Sequence, residues 1–255
     1  MTKLRAAYFD LDGTLLGQRG SFLHDGEGVF TTAGARALEA CARADVEVVI
    51  VSGRRLASLR HDARLLGVPT YACEAGALLV IGTEHLYLTG GYQPTDDANV
   101  YEQIDATGAP RMLLERFPGL VVHEDAVHER EISHVFIGEA DAGEANDLLR
   151  GAGLGELRML DNGPAEEGGH VFHLMPVEAS KAEAVATHRR IRGYDADACI
   201  AVGDSEEDAG MAASVGTFWF VGNGAWTGGS NIRRAEATHG AGAYEAVITE
   251  LAERR

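Results

Sequence analysis

Asp10-Leu11-Asp12-Gly13-Thr14 places two carboxylates directly after the apolar run Ala6-Ala7-Tyr8-Phe9. A short apolar run closed by a Gly-containing turn reads as a buried strand. Carboxylates at the end of such a strand need a partner or a metal, because burying a bare charge is costly. Residues two apart in extended backbone point the same way, so Asp10 and Asp12 can address one reacting centre. One would be nucleophile or metal ligand, the other a proton carrier. Gly13 lets the chain turn closely, and Thr14 can hydrogen-bond the turn. The plainer alternative is a solvated Asp-Gly turn, a common local structure.

Three further segments carry groups of the same chemistry. Ser52-Gly53-Arg54 closes the β-branched run Val46–Val51. The Ser52 hydroxyl can bond a phosphoryl oxygen, and the turn through Gly53 exposes backbone N–H groups. Ser52 also suits a helix N-cap, and the two roles are compatible. Ser180-Lys181-Ala182-Glu183 reads as a capping box. Lys181 there opposes the helix dipole, yet a lysine at a helix N-terminus makes an anion site. Gly203-Asp204-Ser205-Glu206-Glu207-Asp208 follows the apolar Ile200-Ala201-Val202. Glu206 fits a first-turn acid of a helix capped by Ser205, whereas Asp204 ends the strand before that helix begins. Mg²⁺ takes oxygen ligands, usually one or two carboxylates with waters and a phosphate oxygen. Asp10 and Asp204 could supply them from adjacent strand ends, with Asp208 in or near the coordination sphere.

The elements that must position these groups alternate. Helices are expected over 32–44 and 56–66, with strands over 46–51, 70–73 and 77–81, which favours a largely parallel sheet covered by helices. Ligands of such sheets bind outside the carboxyl ends of the strands, so Asp10, Asp12, Ser52 and Asp204 would share one edge. From Gly82 to Val177 the strands become shorter and more polar (85–89, 120–123, 132–137, 157–160, 171–174), with helices at 96–106, 110–117 and 142–152. The parallel pattern resumes with helix 180–191, strand 199–202, helix 206–213, strand 217–221 and a last helix through 244–251. The fold class is therefore α/β: a Rossmann-like parallel-sheet core, residues 1–81 and 178–255, interrupted by an inserted α+β module at 82–177. The irregular connection 15–29 could fold over the site.

A net charge of −17 over 255 residues argues against nucleic-acid or anionic-membrane binding, which needs clustered Lys and Arg. No segment reads as a signal peptide or reaches membrane-spanning length. Cys41, Cys73 and Cys199 have no paired spacing and read as reduced core residues, which suits the cytoplasm. No G-x-G-x-x-G follows the first strand, which disfavours a dinucleotide enzyme.

Taken in order, Asp10 through Thr14, Ser52-Gly53-Arg54, Lys181, and Gly203-Asp204 through Asp208 resemble the haloacid dehalogenase superfamily of phosphohydrolases. About 40 residues separate Asp12 from Ser52, and well over 100 separate Arg54 from Lys181. A cap domain in the second interval resembles the C2-capped, Cof-type sugar-phosphatase subgroup. Val221-Gly222-Asn223-Gly224-Ala225 is similar to that subgroup's late Gly-Asn-Ala turn. Glu207 stands where the superfamily often has Asn.

The resemblance implies a Mg²⁺-dependent phosphomonoesterase acting through an aspartyl-phosphate. Asp10 is then the nucleophile, Asp12 the acid and base, and Ser52 and Lys181 the phosphoryl-binding groups. Thr14, Gly53, Arg54 and Asn223 fall in the substrate-binding motifs. Asp10, Asp204, Asp208 and the backbone carbonyl of Asp12 fall to the metal. The implied substrate is a small phosphomonoester such as a sugar phosphate or phosphoglycerate derivative, and the implied assembly a monomer or homodimer. The alternatives are a phosphotransferase or mutase of the same fold, a receiver-like phosphoacceptor module, which would carry no such insertion, and a non-catalytic phosphate-binding regulator. Substrate choice is expected from the insertion, where Arg130, His123, His128 and His134 could reach a polar leaving group, as could His170 and His173, although each also suits a structural role.

Overall fold

The computed structural model describes residues 2–123, 130–165, 168–225 and 228–254. The chain runs β1 (Ala6–Phe9), α1 (Ala33–Arg43), β2 (Glu47–Val51), α2 (Leu56–Leu66), β3 (Thr70–Cys73), β4 (Leu78–Ile81) and β5 (Glu84–Tyr87). Next come α3 (Val100–Ala106), α4 (Ala109–Arg116), β6 (Val121–Val122), β7 (His134–Gly138), α5 (Ala142–Gly151), β8 (Leu157–Pro164) and β9 (His170–Pro176). It closes with α6 (Lys181–Arg192), β10 (Cys199–Gly203), α7 (Glu206–Ala209), β11 (Thr217–Phe220), β12 (Ile232–Arg234) and α8 (His239–Glu253).

The large sheet has the order β12-β11-β10-β1-β2-β3-β4-β5. It is parallel from β12 to β3 and antiparallel across β3, β4 and β5. β1 is buried throughout, because helices cover both of its faces and leave no position for a polar side chain. Ala7 and Phe9 pack in the cluster that holds Ala37 and Cys41 of α1 and Val247 of α8. Ala6 and Tyr8 pack in a second cluster with Ala184 and Val185 of α6. β1 lies between β10 and β2, so Asp10, Ser52 and Asp204 leave three neighbouring strands at the same end. The second sheet, β6-β7-β9-β8, is antiparallel throughout. The α/β core with an α+β insertion read from the sequence is this architecture.

Two local expectations are corrected, and one strand was not anticipated. The strand expected at 85–89 within the insertion is β5 of the large sheet, paired antiparallel with β4. Gly82, at φ +63°, turns the chain straight back instead of releasing it from the sheet. The helix expected over 206–213 is α-helical only through Ala209 and continues as 3-10 turns over Gly210–Ser214. β12 lacks an apolar run and forms as an edge strand on β11. The three cysteines are free and buried, and among the described residues no helix is long and apolar enough to cross a membrane.

Candidate active site

Asp10 is anchored by its own backbone, whose N–H donates to the Val202 carbonyl at 3.0 Å. Its side chain is 7 % exposed. Lys181 enters from the first turn of α6, and its Nζ donates to Asp10 Oδ1 at 2.9 Å and to Asp208 Oδ1 at 2.6 Å. Glu207 Oε2 lies 3.0 Å from the same nitrogen, as an ion pair without hydrogen-bond geometry. The Ser180 cap accepts the Glu183 N–H at 3.0 Å. The return half of the expected capping box is not made, because the Glu183 carboxylate accepts from the Thr187 hydroxyl instead. Burial alone would discharge Lys181, but Asp10, Asp208 and Glu207 outweigh it and hold its pKa above the ordinary lysine value.

One lysine does not balance the acids around it. Asp204 receives the Thr14 hydroxyl at 3.0 Å, yet burial, reinforced by Asp208, pushes its pKa up to about 6. Burial also raises Asp10, with Asp208 and Asp204 adding to the shift and Lys181 opposing it. Glu207, where the superfamily often has Asn, is raised by burial as well. Asp208 has a double task. Oδ1 takes Lys181, while Oδ2 accepts the Ser205 hydroxyl at 2.7 Å and the backbone N–H groups of Asp204 and Ser205. Oxygen atoms of Asp10, Asp204 and Asp208 lie within 4.8 Å of one another. An all-oxygen donor set with unbalanced negative charge fits a hard divalent cation. Gly13 keeps this approach open, since a Cβ there would collide with the Asp204 carboxylate.

Asp12 is not a member of that cluster. Its carboxylate is clasped by Arg54 through Nε at 2.7 Å and a terminal nitrogen at 2.6 Å. Arg54 is held in turn by Asp62 at 2.8 Å, and these two acids raise its pKa against the opposing effect of burial. Ser52 is buried, and its Oγ accepts the Arg54 N–H at 3.2 Å.

A cavity of about 300 Å³ gathers Asp10, Asp12, Ser52, Gly53, Arg54, Lys181, Asp204 and Asp208. Thr14 and Asn223 stand outside this cavity. Thr14 is fully buried behind Asp204. Asn223 donates to the Gly13 carbonyl at 2.9 Å and accepts the His239 N–H at 2.8 Å, so it ties the first turn to the start of α8.

The insertion contributes His123, Arg130, Asn162 and His173 to the same cavity. His134 does not reach it: the ring stacks on Tyr101 at 3.7 Å and bonds the Tyr101 carbonyl. His170 pairs with Asp161 at 2.8 Å in a larger outer opening. His128 lies outside the described residues. Asn162, Glu74 and Ser133 escaped the sequence reading. Glu74 is fully buried and accepts both the N–H and the hydroxyl of Ser133. The one available sign was an acid directly after the apolar strand Thr70–Cys73, the pattern that marked Asp10.

Lys181→Met is expected to destabilise the metal-free protein by about 3–5 kcal/mol, because Asp10, Glu207 and Asp208 lose a shared buried counter-ion. The loss should shrink below about pH 5, where the carboxylates take up protons. Denaturant titrations at the two pH values measure it, and an unchanged midpoint at neutral pH would show that the lysine is not the cluster's counter-ion.

A carboxylate cluster at the strand ends of a parallel sheet, with a lysine from a helix N-terminus, is the framework of a haloacid dehalogenase-type phosphatase. The model of the sucrose-6F-phosphate phosphohydrolase family matches residues 5–227, and the chain belongs to that family. It is a phosphatase by that membership. No curated protein sequence matches the chain. Among solved structures, the sucrose-phosphatase of Synechocystis, crystallised with sucrose and phosphate, aligns with a TM-score of 0.68 at 14 % identity over 98 % of each chain. A haloalkanoate-superfamily phosphatase of Bacteroides thetaiotaomicron aligns at 0.70 and 16 % identity, over 97 % of this chain and 95 % of that one. A Thermoplasma acidophilum protein aligns at 0.71 and 16 % identity, over 98 % of this chain and 99 % of that one. At these identities the likeness establishes the fold.

Proposed function

We propose that the protein is a Mg²⁺-dependent phosphomonoesterase that forms an aspartyl-phosphate on Asp10 and hydrolyses a small phosphorylated metabolite, a sugar phosphate or a phosphoglycerate derivative. The observation that carries this reading is the Asp10 carboxylate, fixed by Lys181 at 2.9 Å and opening on a cavity that also holds Ser52 and Gly53. Asp10 attacks phosphorus as the nucleophile. Lys181, the Ser52 hydroxyl and the backbone around Gly53 oppose the charge on the phosphoryl oxygens, the main demand that phosphoryl transfer makes of a protein. Asp12 gives a proton to the leaving oxygen and later takes one from the water that cleaves the aspartyl-phosphate. Arg54 is a positioning residue for Asp12.

Asp10 and Asp204, with Asp208 behind them and the Asp12 carbonyl beside them, would hold Mg²⁺. The bound ion supplies positive charge to the phosphoryl oxygens and to the otherwise unbalanced acids. In the same reading residues 1–81 and 178–255 form the catalytic core and 82–177 the specificity module, with β5 remaining on the core's sheet.

Phosphate release from a panel of phosphorylated sugars, glycerates and nucleotides, with Mg²⁺ and with excess EDTA, tests the reading. Metal-dependent release of free phosphate supports it. Full activity in EDTA overturns the metal assignment, and transfer of phosphate to an added sugar instead of water makes the enzyme a transferase.

A further inference from the structure

We propose that Arg130 and His173 form a receptor for the leaving group, Arg130 taking a carboxylate and His173 a neighbouring hydroxyl, so that the enzyme selects phosphorylated hydroxy acids over neutral esters of the same shape. The proposal rests on the phosphatase reading above and deepens it by choosing between the two substrate classes named there, against the neutral leaving group of the sucrose phosphate named by the matching family.

Arg130 lines the 300 Å³ cavity beside Asp10 and Lys181, and its side chain is only 12 % exposed. One terminal nitrogen is pinned, 3.3 Å from Ser133 Oγ and 3.7 Å from Glu74 Oε2. Neutralising Glu74 does not account for the whole guanidinium. Glu74 already accepts the Ser133 N–H at 2.7 Å, the Ser133 hydroxyl at 2.8 Å and the Glu131 N–H at 3.2 Å. Arg130 Nε is buried and makes no hydrogen bond among the described residues. A buried N–H without an acceptor costs free energy that an arriving acceptor restores. With one end of the fork fixed, the edge formed by Nε and the second terminal nitrogen is the one whose geometry suits a carboxylate.

His173 has a determined tautomer. Its Nδ1 is 3.2 Å from Ser133 Oγ, and the single proton of that hydroxyl goes to Glu74. Nδ1 must therefore donate, which leaves Nε2 a bare acceptor. The ring is 1 % exposed and lines the cavity. Burial, with Arg130 and Lys181 nearby, disfavours its protonation. A neutral acceptor of this kind takes a hydroxyl proton. Glu74 of the core thus sets both groups through one serine.

The test compares matched esters on the Mg²⁺-loaded enzyme: 3-phosphoglycerate against glycerol 3-phosphate, and 2-phosphoglycerate against glycerol 2-phosphate. The acid member of each pair should have the higher kcat/KM by about 10- to 100-fold, the range of one charge-assisted hydrogen bond. Arg130→Gln should bring each ratio to within about threefold, and Arg130→Lys should restore part of it. His173→Phe should erase a preference for 3-phosphoglycerate over 3-phosphooxypropanoate, which lacks the hydroxyl.

Equal rates on both members in the wild-type enzyme would overturn the proposal. So would an Arg130→Gln variant that loses all substrates by one common factor, since that places Arg130 on the phosphoryl group. If Arg130→Gln does not fold because Glu74 is stranded, the Arg130→Gln, Glu74→Gln double variant takes its place. Competitive inhibition of the wild type by glycerate and not by glycerol then gives a further supporting readout, and equal inhibition an opposing one. Failure to hydrolyse any ester, p-nitrophenyl phosphate included, would instead remove the phosphatase reading itself.

Discussion

Asp10→Asn is expected to lower turnover on every phosphomonoester by about four orders of magnitude or more, because an amide cannot form the acyl-phosphate. The fold should survive. Burial, with Asp208 and Asp204 adding to it and Lys181 opposing it, raises the Asp10 pKa, so the amide removes a charge the folded state holds at a cost. Lys181 keeps Asp208 and Glu207 as partners. The sign follows from linkage: an acid whose folded pKa is raised favours folding at low pH, and that contribution is lost as pH rises through the folded value. The variant should therefore equal or exceed the wild type in thermal stability near neutral pH without metal. Retention of more than a few per cent of activity in a deamidation-checked preparation would exclude Asp10 as nucleophile.

Removing Asp204 should come next in effect. Asp204→Asn is expected to raise the Mg²⁺ concentration for half-activation by about 100-fold or more, since even residues that only support metal ligands cost 10- to 100-fold. Glu206→Gln, two residues along and outside the Asp10–Asp204–Asp208 cluster, should change it little. Mg²⁺ should also raise the wild-type melting temperature, and more so near pH 8 than near pH 5. At the lower pH Asp204, with its pKa pushed up to about 6, holds a proton that the cation must displace. Equal effects of the two substitutions, or a melting shift independent of pH, would contradict the assignment of Asp204 to the metal.

The strand-end acids were legible because a sheet turns local order into proximity. Asp10, Ser52 and Asp204 each follow an apolar run, and parallel strands with helical crossovers deliver such residues to one edge. The insertion was legible from its polar, shorter strands, but not where it leaves the sheet. The strand at Glu84–Tyr87 is short and half exposed, and only its backbone pairing with β4 assigns it. Asn223 shows the same limit. Its turn was recognisable, whereas the direction of its amide, toward Gly13 and His239, was not.

By itself, then, the sequence determined the α/β class, the order of the chemical groups and their common edge, because periodicity and strand ends are properties of short segments. The tertiary structure decided how those groups share protons and charge. It gave one lysine to three acids, clasped Asp12 with Arg54, and set Arg130 and His173 through Glu74 and Ser133. Those outcomes depend on matching donors to acceptors across residues far apart in the chain, under burial that decides which charges can stand alone, and no local pattern records either condition.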